Sequence, residues 1–223
     1  MAETQILSTK KLQVNQKQFL LNAGFSVIEA DFIQIKNQPF EFNNINETLI
    51  FTSQNAVHAI LENKEVEELK NKTVFCVGLK TKALLEENGF KVEAYTGYAA
   101  DLAEIIALVY SDLSYTFFSG NLRRDTLPEL LKENGIIFNE IEVYQTSLTP
   151  HKINSKPDAL LFFSPSGVES YNSQNKITNE VCFCIGDTTA EAVEKYSQNI
   201  IIANQPSVEN VIIQCINYYK ANS

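Results

Sequence analysis

Two stretches about 110 residues apart repeat one another, and the repeat limits what the chain can fold into. Leu160-Leu-Phe-Phe-Ser-Pro-Ser-Gly-Val168 is a short apolar run that ends in a turn and a helical entry. Leu49-Ile-Phe-Thr-Ser-Gln-Asn-Ala-Val57 has the same run, the same serine and the same entry. A short apolar run containing aromatics reads as a strand covered on both faces. The serine hydroxyl suits a helix cap, and glycine lets a ligand approach the backbone. Each stretch therefore sets a row of N–H donors at the carboxyl end of a strand, where open α/β sheets bind ligands, anions above all.

The repeat extends far beyond these two stretches. Ser8 matches Ser119, Gly24 matches Gly135, Ser53 matches Ser164, Gly78 matches Gly186, and Leu102 matches Val211. So many turn residues at one offset indicate an internal duplication. In order, Ile6-Leu7 starts a strand, Ser8-Thr9 turns it, and a helix runs to about Asn22. Gly24, like Gly89 and Gly135 after later helices, sits where a helix ends with positive φ. Val27 to Ile35 reads as one long or broken strand, and Asn37 to Asn46, with Pro39, as a linker. Strands at Thr73–Val77, near Val92, at Thr116–Phe118, Ile136–Tyr144, Val181–Ile185 and Ile200–Ile202 alternate with helices. Such alternation predicts mostly parallel sheets with helices on both faces, and the duplication predicts two sheets of about five strands. The pattern leaves two arrangements open: each half folds by itself, or the halves exchange pieces.

Composition narrows the function. The 223 residues are 44% hydrophobic and 20% charged, ordinary values for a globular protein able to bury one large core or two modest ones. No apolar run approaches the roughly 20 residues of a membrane span. Met-Ala-Glu-Thr-Gln lacks the basic, apolar and small-residue order of a signal peptide, so a cytoplasmic location is expected. A formal net charge of −9 without a basic stripe argues against nucleic acid. Cys76, Cys182 and Cys184 lie in apolar strand-like runs and Cys215 on an apolar helix face, which reads as buried thiols in a reducing compartment. Cys182 and Cys184 share a strand face, the one arrangement among them that suits a soft metal. His58 and His151 stand alone, which disfavours a histidine zinc site or a Ser–His–Asp triad.

Chemistry is left to the turns. Ser8-Thr9-Lys10, Ser53-Gln54-Asn55, Gly78, Ser119-Gly120, Ser164-Pro-Ser-Gly167 and Gly186-Asp-Thr-Thr189 all close predicted strands. Any one of them alone is adequately explained as a helix cap. Together they would surround a cleft with hydroxyls and backbone donors suited to an acidic ligand, whatever the net charge of the protein. Lys10, Lys80, Arg123 and Arg124 stand near the same rims, where each also fits a solvated surface position. The glycines match neither the dinucleotide fingerprint nor the phosphate loop. A phospho-receiver needs acidic strand ends, and a flavodoxin-like flavin site gives no reason for two sheets. A non-enzymatic two-lobed binder of an acidic small molecule is the alternative to an enzyme.

Phe51-Thr-Ser-Gln-Asn-Ala-Val57, Cys76-Val-Gly78, Ser119-Gly-Asn-Leu-Arg-Arg-Asp125, Val143-Tyr-Gln-Thr146, Phe163-Ser-Pro-Ser-Gly-Val-Glu169, Ile185-Gly-Asp-Thr-Thr-Ala190 and Gln205-Pro-Ser-Val-Glu209 resemble, in order and spacing, the motifs of the uroporphyrinogen-III synthase family. The resemblance covers essentially the whole chain. It departs at Ser8-Thr-Lys10, where the family often has Thr-Arg, and at Asp187, where proline is common. Lys10 keeps a positive charge but lacks the bidentate fork of arginine.

The resemblance implies two flavodoxin-like, doubly wound α/β domains interleaved in sequence. Residues 1–34 and 148–223 would form a discontinuous domain, residues 35–147 an inserted one, and strands near Ile33 and Val143 two antiparallel crossings and a mobile hinge. It implies conversion of hydroxymethylbilane, a linear tetrapyrrole with eight carboxylates, into uroporphyrinogen III. Water is lost, ring D inverts through a spiro intermediate, and the macrocycle closes without metal or cofactor. The substrate also cyclises unaided to the symmetric isomer, so holding one conformation is much of the task. The candidate proton donor or hydrogen-bond partner for the leaving hydroxide is Tyr144, whose other reading is a hinge aromatic. Ser53, Asn55, Gly78, Ser119, Gly120, Arg123, Ser164, Ser166, Gly167, Gly186, Thr188 and Thr189 are the expected substrate-binding residues. A monomer acting on a small molecule is expected.

Overall fold

Strand and helix alternate from end to end. In the computed structural model, which describes residues 4–221, the elements are β1 (Gln5–Ser8), α1 (Val14–Asn22), β2 (Ser26–Glu29), β3 (Ile33–Asn37), β4 (Thr48–Phe51), α2 (Gln54–Leu61), α3 (Val66–Leu69), β5 (Thr73–Val77), α4 (Leu79–Glu87), β6 (Lys91–Thr96) and α5 (Ala99–Val109). They continue with β7 (Ser114–Gly120), α6 (Thr126–Glu133), β8 (Ile137–Leu148), β9 (Ala159–Phe162), α7 (Pro165–Gln174), β10 (Val181–Cys184), α8 (Asp187–Glu194), β11 (Ile200–Ile202) and α9 (Val208–Ala221). No described helix is long and apolar enough to cross a membrane.

The two copies of the repeat exchange strands. One sheet has the order β11-β10-β9-β1-β2 and the other β3-β8-β7-β4-β5-β6. The first copy contributes β1 and β2 to one sheet and β4, β5 and β6 to the other. The second copy does the reverse, so β2-β1-β9-β10-β11 and β8-β7-β4-β5-β6 have the same layout, with each of these neighbours parallel. Two compact units result, one built from residues up to Gln34 and from Ser147 onward, the other from Ile35 to Thr146. The two strands that carry the chain from one unit to the other are β3 and β8. Gln38 N–H donates to the Val143 carbonyl (2.8 Å) and Thr149 N–H to the Phe32 carbonyl (2.9 Å), so these neighbours run antiparallel. The expected architecture of two doubly wound, mostly parallel sheets is the one observed.

Strand alternation builds two cores in each unit. In the first, Ile6, Leu161 and Phe183 face α1 and α9, while Leu7, Leu160, Phe162, Cys182 and Cys184 face α7 and α8. In the second, Leu49, Phe51, Cys76 and Phe118 face α2 and α4, while Ile50, Phe75, Tyr115 and Phe117 face α5 and α6. Phe51 and Phe118 are register partners across β4 and β7, and their rings stack at 5.2 Å. Both faces being covered explains why these strands read as unbroken apolar runs. Helix ends follow the local chemistry. Gly24 and its counterpart Gly135 stand at φ +85° and +70°, a conformation most side chains resist.

Three local expectations change. The Val27–Ile35 stretch is two strands in different sheets, interrupted where Phe32 is fully buried and its N–H bonds to the Thr9 carbonyl (3.1 Å). The segment expected as a linker from Asn37 to Asn46 packs Phe40, Phe42 and Ile45 on the core of the second unit. Its Asn46 side chain donates to the Tyr115 carbonyl (2.7 Å) and to Asn139 Oδ1 (2.8 Å). The short helix α3 has no counterpart in the sequence reading.

Candidate functional site

Doubly wound sheets open a crevice where neighbouring strands send their helices to opposite faces. In the first unit those strands are β1 and β9, whose following helices α1 and α7 lie on opposite faces. In the second they are β7 and β4, followed by α6 and α2 on opposite faces. The serine turns of the sequence sit at these two points.

At the rim of the first unit, Thr9 Oγ1 donates to the Leu161 carbonyl (2.7 Å) and ties the end of β1 to β9. Ser164 Oγ caps α7 by accepting from Gly167 N–H (3.0 Å) and lies 3.1 Å from Ser166 Oγ. A capping oxygen still carries its hydrogen, so Ser164 keeps a donor for an anion. Lys10 Nζ stands 5.9 Å from the Phe163 ring centre, which puts its charge close to the same turn. At the next strand end, Asp187 and Thr188 are exposed at the start of α8, where helix N–H groups lack intrahelical partners. Gly186 is extended and half-buried in front of them. Thr189 differs from the expectation. It is 1% exposed and its N–H closes on the Gly186 carbonyl (3.0 Å), so it faces the core.

The rim of the second unit is built differently at several of the expected positions. Ser53 Oγ caps α2 through Asn55 N–H (3.1 Å), matching Ser164. Gly78 has φ +92°, which accounts for a glycine there, and its N–H is taken by the Thr96 carbonyl (2.8 Å). Gly78 therefore shapes the turn and has no amide to offer. Ser119 and Gly120 are buried at the end of β7, and Tyr144 lies opposite Gly120 on β8, 9% exposed. Among the described residues, the Tyr144 hydroxyl makes no hydrogen bond.

Arg123 has its fork filled from within. Its Nε and Nη2 donate to both oxygens of Glu140 (2.5 and 2.8 Å), and Nη1 pairs with Asp125. The hydrogen bond to Glu140 raises the guanidinium pKa further. Burial pushes the Glu140 carboxyl up, but hydrogen bonds from Arg123 and Ser119 outweigh it and hold the group below its usual 4.5. A folded pKa below the unfolded one means that the stabilisation is complete above about pH 4.5 and is lost as pH falls through the folded value. Arg123→Gln is expected to cost about 1–2 kcal/mol at neutral pH, between an exposed ion pair and a charge-assisted hydrogen bond. Chemical denaturation from pH 5 toward pH 2 should show that cost shrinking. A cost that does not change with pH would remove the ion pair as its source.

The sequence reading missed an apolar part of this rim. Leu79, Tyr98 and Leu122 are 66%, 65% and 54% exposed, and each follows the end of a strand of the second sheet. Thr96 Oγ1 donates to the Tyr98 carbonyl (2.7 Å), so the turn that carries Tyr98 is tied to the one that precedes Leu79. Large apolar residues directly after turn residues were the available signal. Elsewhere, burial pushes the thiols of Cys76, Cys182, Cys184 and Cys215 up to about 12, consistent with inert core residues. Among the described residues, no group of three or more His, Cys, Asp and Glu is placed to hold a metal.

Comparison with known proteins gives this arrangement its relatives. The family model of uroporphyrinogen-III synthase HemD matches residues 16–213. The porphyrin biosynthesis protein HemD of Ruminiclostridium josui is 23% identical over 184 residues, which is 74% of this chain but 36% of that protein. The uroporphyrinogen-III synthase of Chlorobaculum parvum is 28% identical over 170 residues, 66% of this chain and 69% of the relative. Among solved structures, the uroporphyrinogen-III synthetase of Helicobacter pylori shares the fold with a TM-score of 0.73 at 22% identity, over 96% of this chain and 99% of that one. With its family model matched over residues 16–213 and its exchanged pair of doubly wound sheets, the chain belongs to the uroporphyrinogen-III synthase family.

Proposed function

We propose that the chain converts hydroxymethylbilane into uroporphyrinogen III in haem biosynthesis, as a cyclising hydro-lyase. The family match over residues 16–213 carries this reading. Donors for acidic groups of the substrate come from the turns at Ser164, Ser166, Gly167, Gly186 and Thr188, and from the turn at Ser53 and Asn55. Ser119, Gly120 and Gly78 shape the second rim, and Leu79, Tyr98 and Leu122 offer apolar surface to the pyrrole faces. Holding one conformer of a substrate that cyclises spontaneously is an orientation effect, worth several kcal/mol when reacting atoms are kept in contact. Tyr144 assists departure of the hydroxide by hydrogen bonding or proton donation, a role supported by a hydroxyl that makes no hydrogen bond among the described residues. The chain acts as a monomer in the cytoplasm, with no metal or cofactor in the reaction.

The decisive assay incubates the pure protein with hydroxymethylbilane and separates the oxidised products by isomer. Isomer III is expected to predominate without added metal and after chelation. A mixture identical to the protein-free control would eliminate the enzyme and leave the non-enzymatic binder of an acidic molecule.

A further inference from the structure

Val143 and Tyr144 are successive residues of β8, and in a regular strand their side chains would leave on opposite faces. Both nevertheless belong to the same core cluster, with Leu49, Phe51 and Phe118. The register explains the exception. Ser119 is paired with Glu142 but Gly120 with Tyr144, so Val143 is the extra residue of a β-bulge. Bulges re-aim side chains, and this one turns Tyr144 over the backbone of Gly120. A Cβ built on Gly120 would overlap Cζ and both Cε atoms of Tyr144, the end of the ring that carries the hydroxyl. Just beyond, Asn121 acts as a short piece of strand. Its Nδ2 donates to the Thr146 carbonyl (3.1 Å) and its Oδ1 accepts from Thr146 N–H (2.8 Å).

We propose that Gly120 is a positioning residue for Tyr144, with the bulge at Val143 aiming the ring and the Asn121–Thr146 pair fixing the strand beyond it. The proposal rests on the assignment of Tyr144 to the leaving hydroxide. It gives Gly120 a steric role: the absent side chain is the space that the phenol end occupies. The nearest atoms that any β-carbon there would meet belong to the hydroxyl-bearing end of the Tyr144 ring. Misplacement of a reacting group by about 1 Å costs on the order of 100-fold in rate.

A double-mutant cycle tests this with Gly120→Ala, Tyr144→Phe and the combined variant, reading kcat, KM and the III-to-I isomer ratio. Gly120→Ala should lower kcat by about 10- to 100-fold with KM nearly constant, and raise the share of the spontaneous isomer. In the Tyr144→Phe background it should lower kcat no further, because the hydroxyl it displaces is already gone. Equal losses in both backgrounds would show general damage to the unit and overturn the proposal, as would parent-like kcat for Gly120→Ala. Should Gly120→Ala fail to fold, Asn121→Ala removes the exposed brace and is expected to give a smaller loss that likewise vanishes with Tyr144→Phe. Parent-like turnover of Tyr144→Phe alone would instead overturn the assignment of Tyr144, a result separate from the other two.

Discussion

Residues 35–146, expressed alone, should fold cooperatively, whereas residues 1–111, the first copy of the sequence repeat, should not. The 35–146 segment contains β7, β4, β5 and β6 whole, β8 as far as Thr146, and both cores packed against that sheet. At 112 residues (35 through 146 inclusive) it is an ordinary domain size. Residues 1–111 have nearly the same length and the same local pattern, but they lack β7 and β9. Without β7, β4 loses Tyr115, Phe117 and Phe118, each at most 1% exposed in the intact protein. Removing one buried phenylalanine side chain costs about 3–5 kcal/mol. Removing three aromatics at that rate costs about 9–15 kcal/mol, as much as the roughly 5–15 kcal/mol that holds a whole domain together. Without β9, β1 keeps β2 as its neighbour but loses the strand on its other side. Thermal melts followed by circular dichroism, with amide proton dispersion, distinguish the two fragments. A sharp melt for 1–111, or none for 35–146, would contradict this division.

The same comparison explains how much of the fold is legible in the sequence. Strand–helix alternation, the duplication and the turns at Ser8, Ser53, Ser119 and Ser164 are local signals, and local signals survive in a single sequence. The exchange of strands is different. Pairing β4 with β7 or keeping each copy to itself satisfies the same apolar runs and the same caps. Resemblance to a family decided between them; periodicity did not. The segment from Asn37 to Asn46 failed for a related reason. Asparagine and proline are turn formers, yet Asn46 is fixed by Tyr115, Thr116 and Asn139, which lie 69 to 93 positions further on.

Site residues divide along the same line. Ser53 and Ser164 were readable because a cap is a contact with the next few residues. Thr189 and Thr188 are adjacent and chemically identical, and only the three-dimensional packing separates the buried one from the exposed one. Arg123 is typical of a residue whose sequence neighbourhood suggests an anion site while its partner, Glu140, arrives from β8. Gly120 was readable as a turn glycine. That it makes room for a ring 24 positions later follows from the bulge, which leaves no trace in hydrophobic pattern.

Catalysis should separate from binding when single side chains are removed. Tyr144→Phe keeps the ring that fills the core beside Phe118 and deletes only the hydroxyl. If that hydroxyl assists the leaving group, turnover should fall by about 10²- to 10⁴-fold, the range for general acid catalysis, with the melting temperature and KM close to the parent. Thr188→Ala removes an exposed hydroxyl from the first turn of α8 and should weaken substrate capture by about 5- to 150-fold, the equivalent of about 1–3 kcal/mol. Ser164→Ala should show a similar loss of capture together with a lower melting temperature, since the same oxygen caps α7 and a lost cap costs about 0.5–2 kcal/mol. Thr189→Ala, in the core, should lower the melting temperature while leaving capture near the parent. The informative contrast is between Tyr144 and Thr188. If Tyr144→Phe turned over like the parent while Thr188→Ala abolished product, the threonine turn would carry the chemistry and Tyr144 would be an aromatic that packs the end of the second sheet.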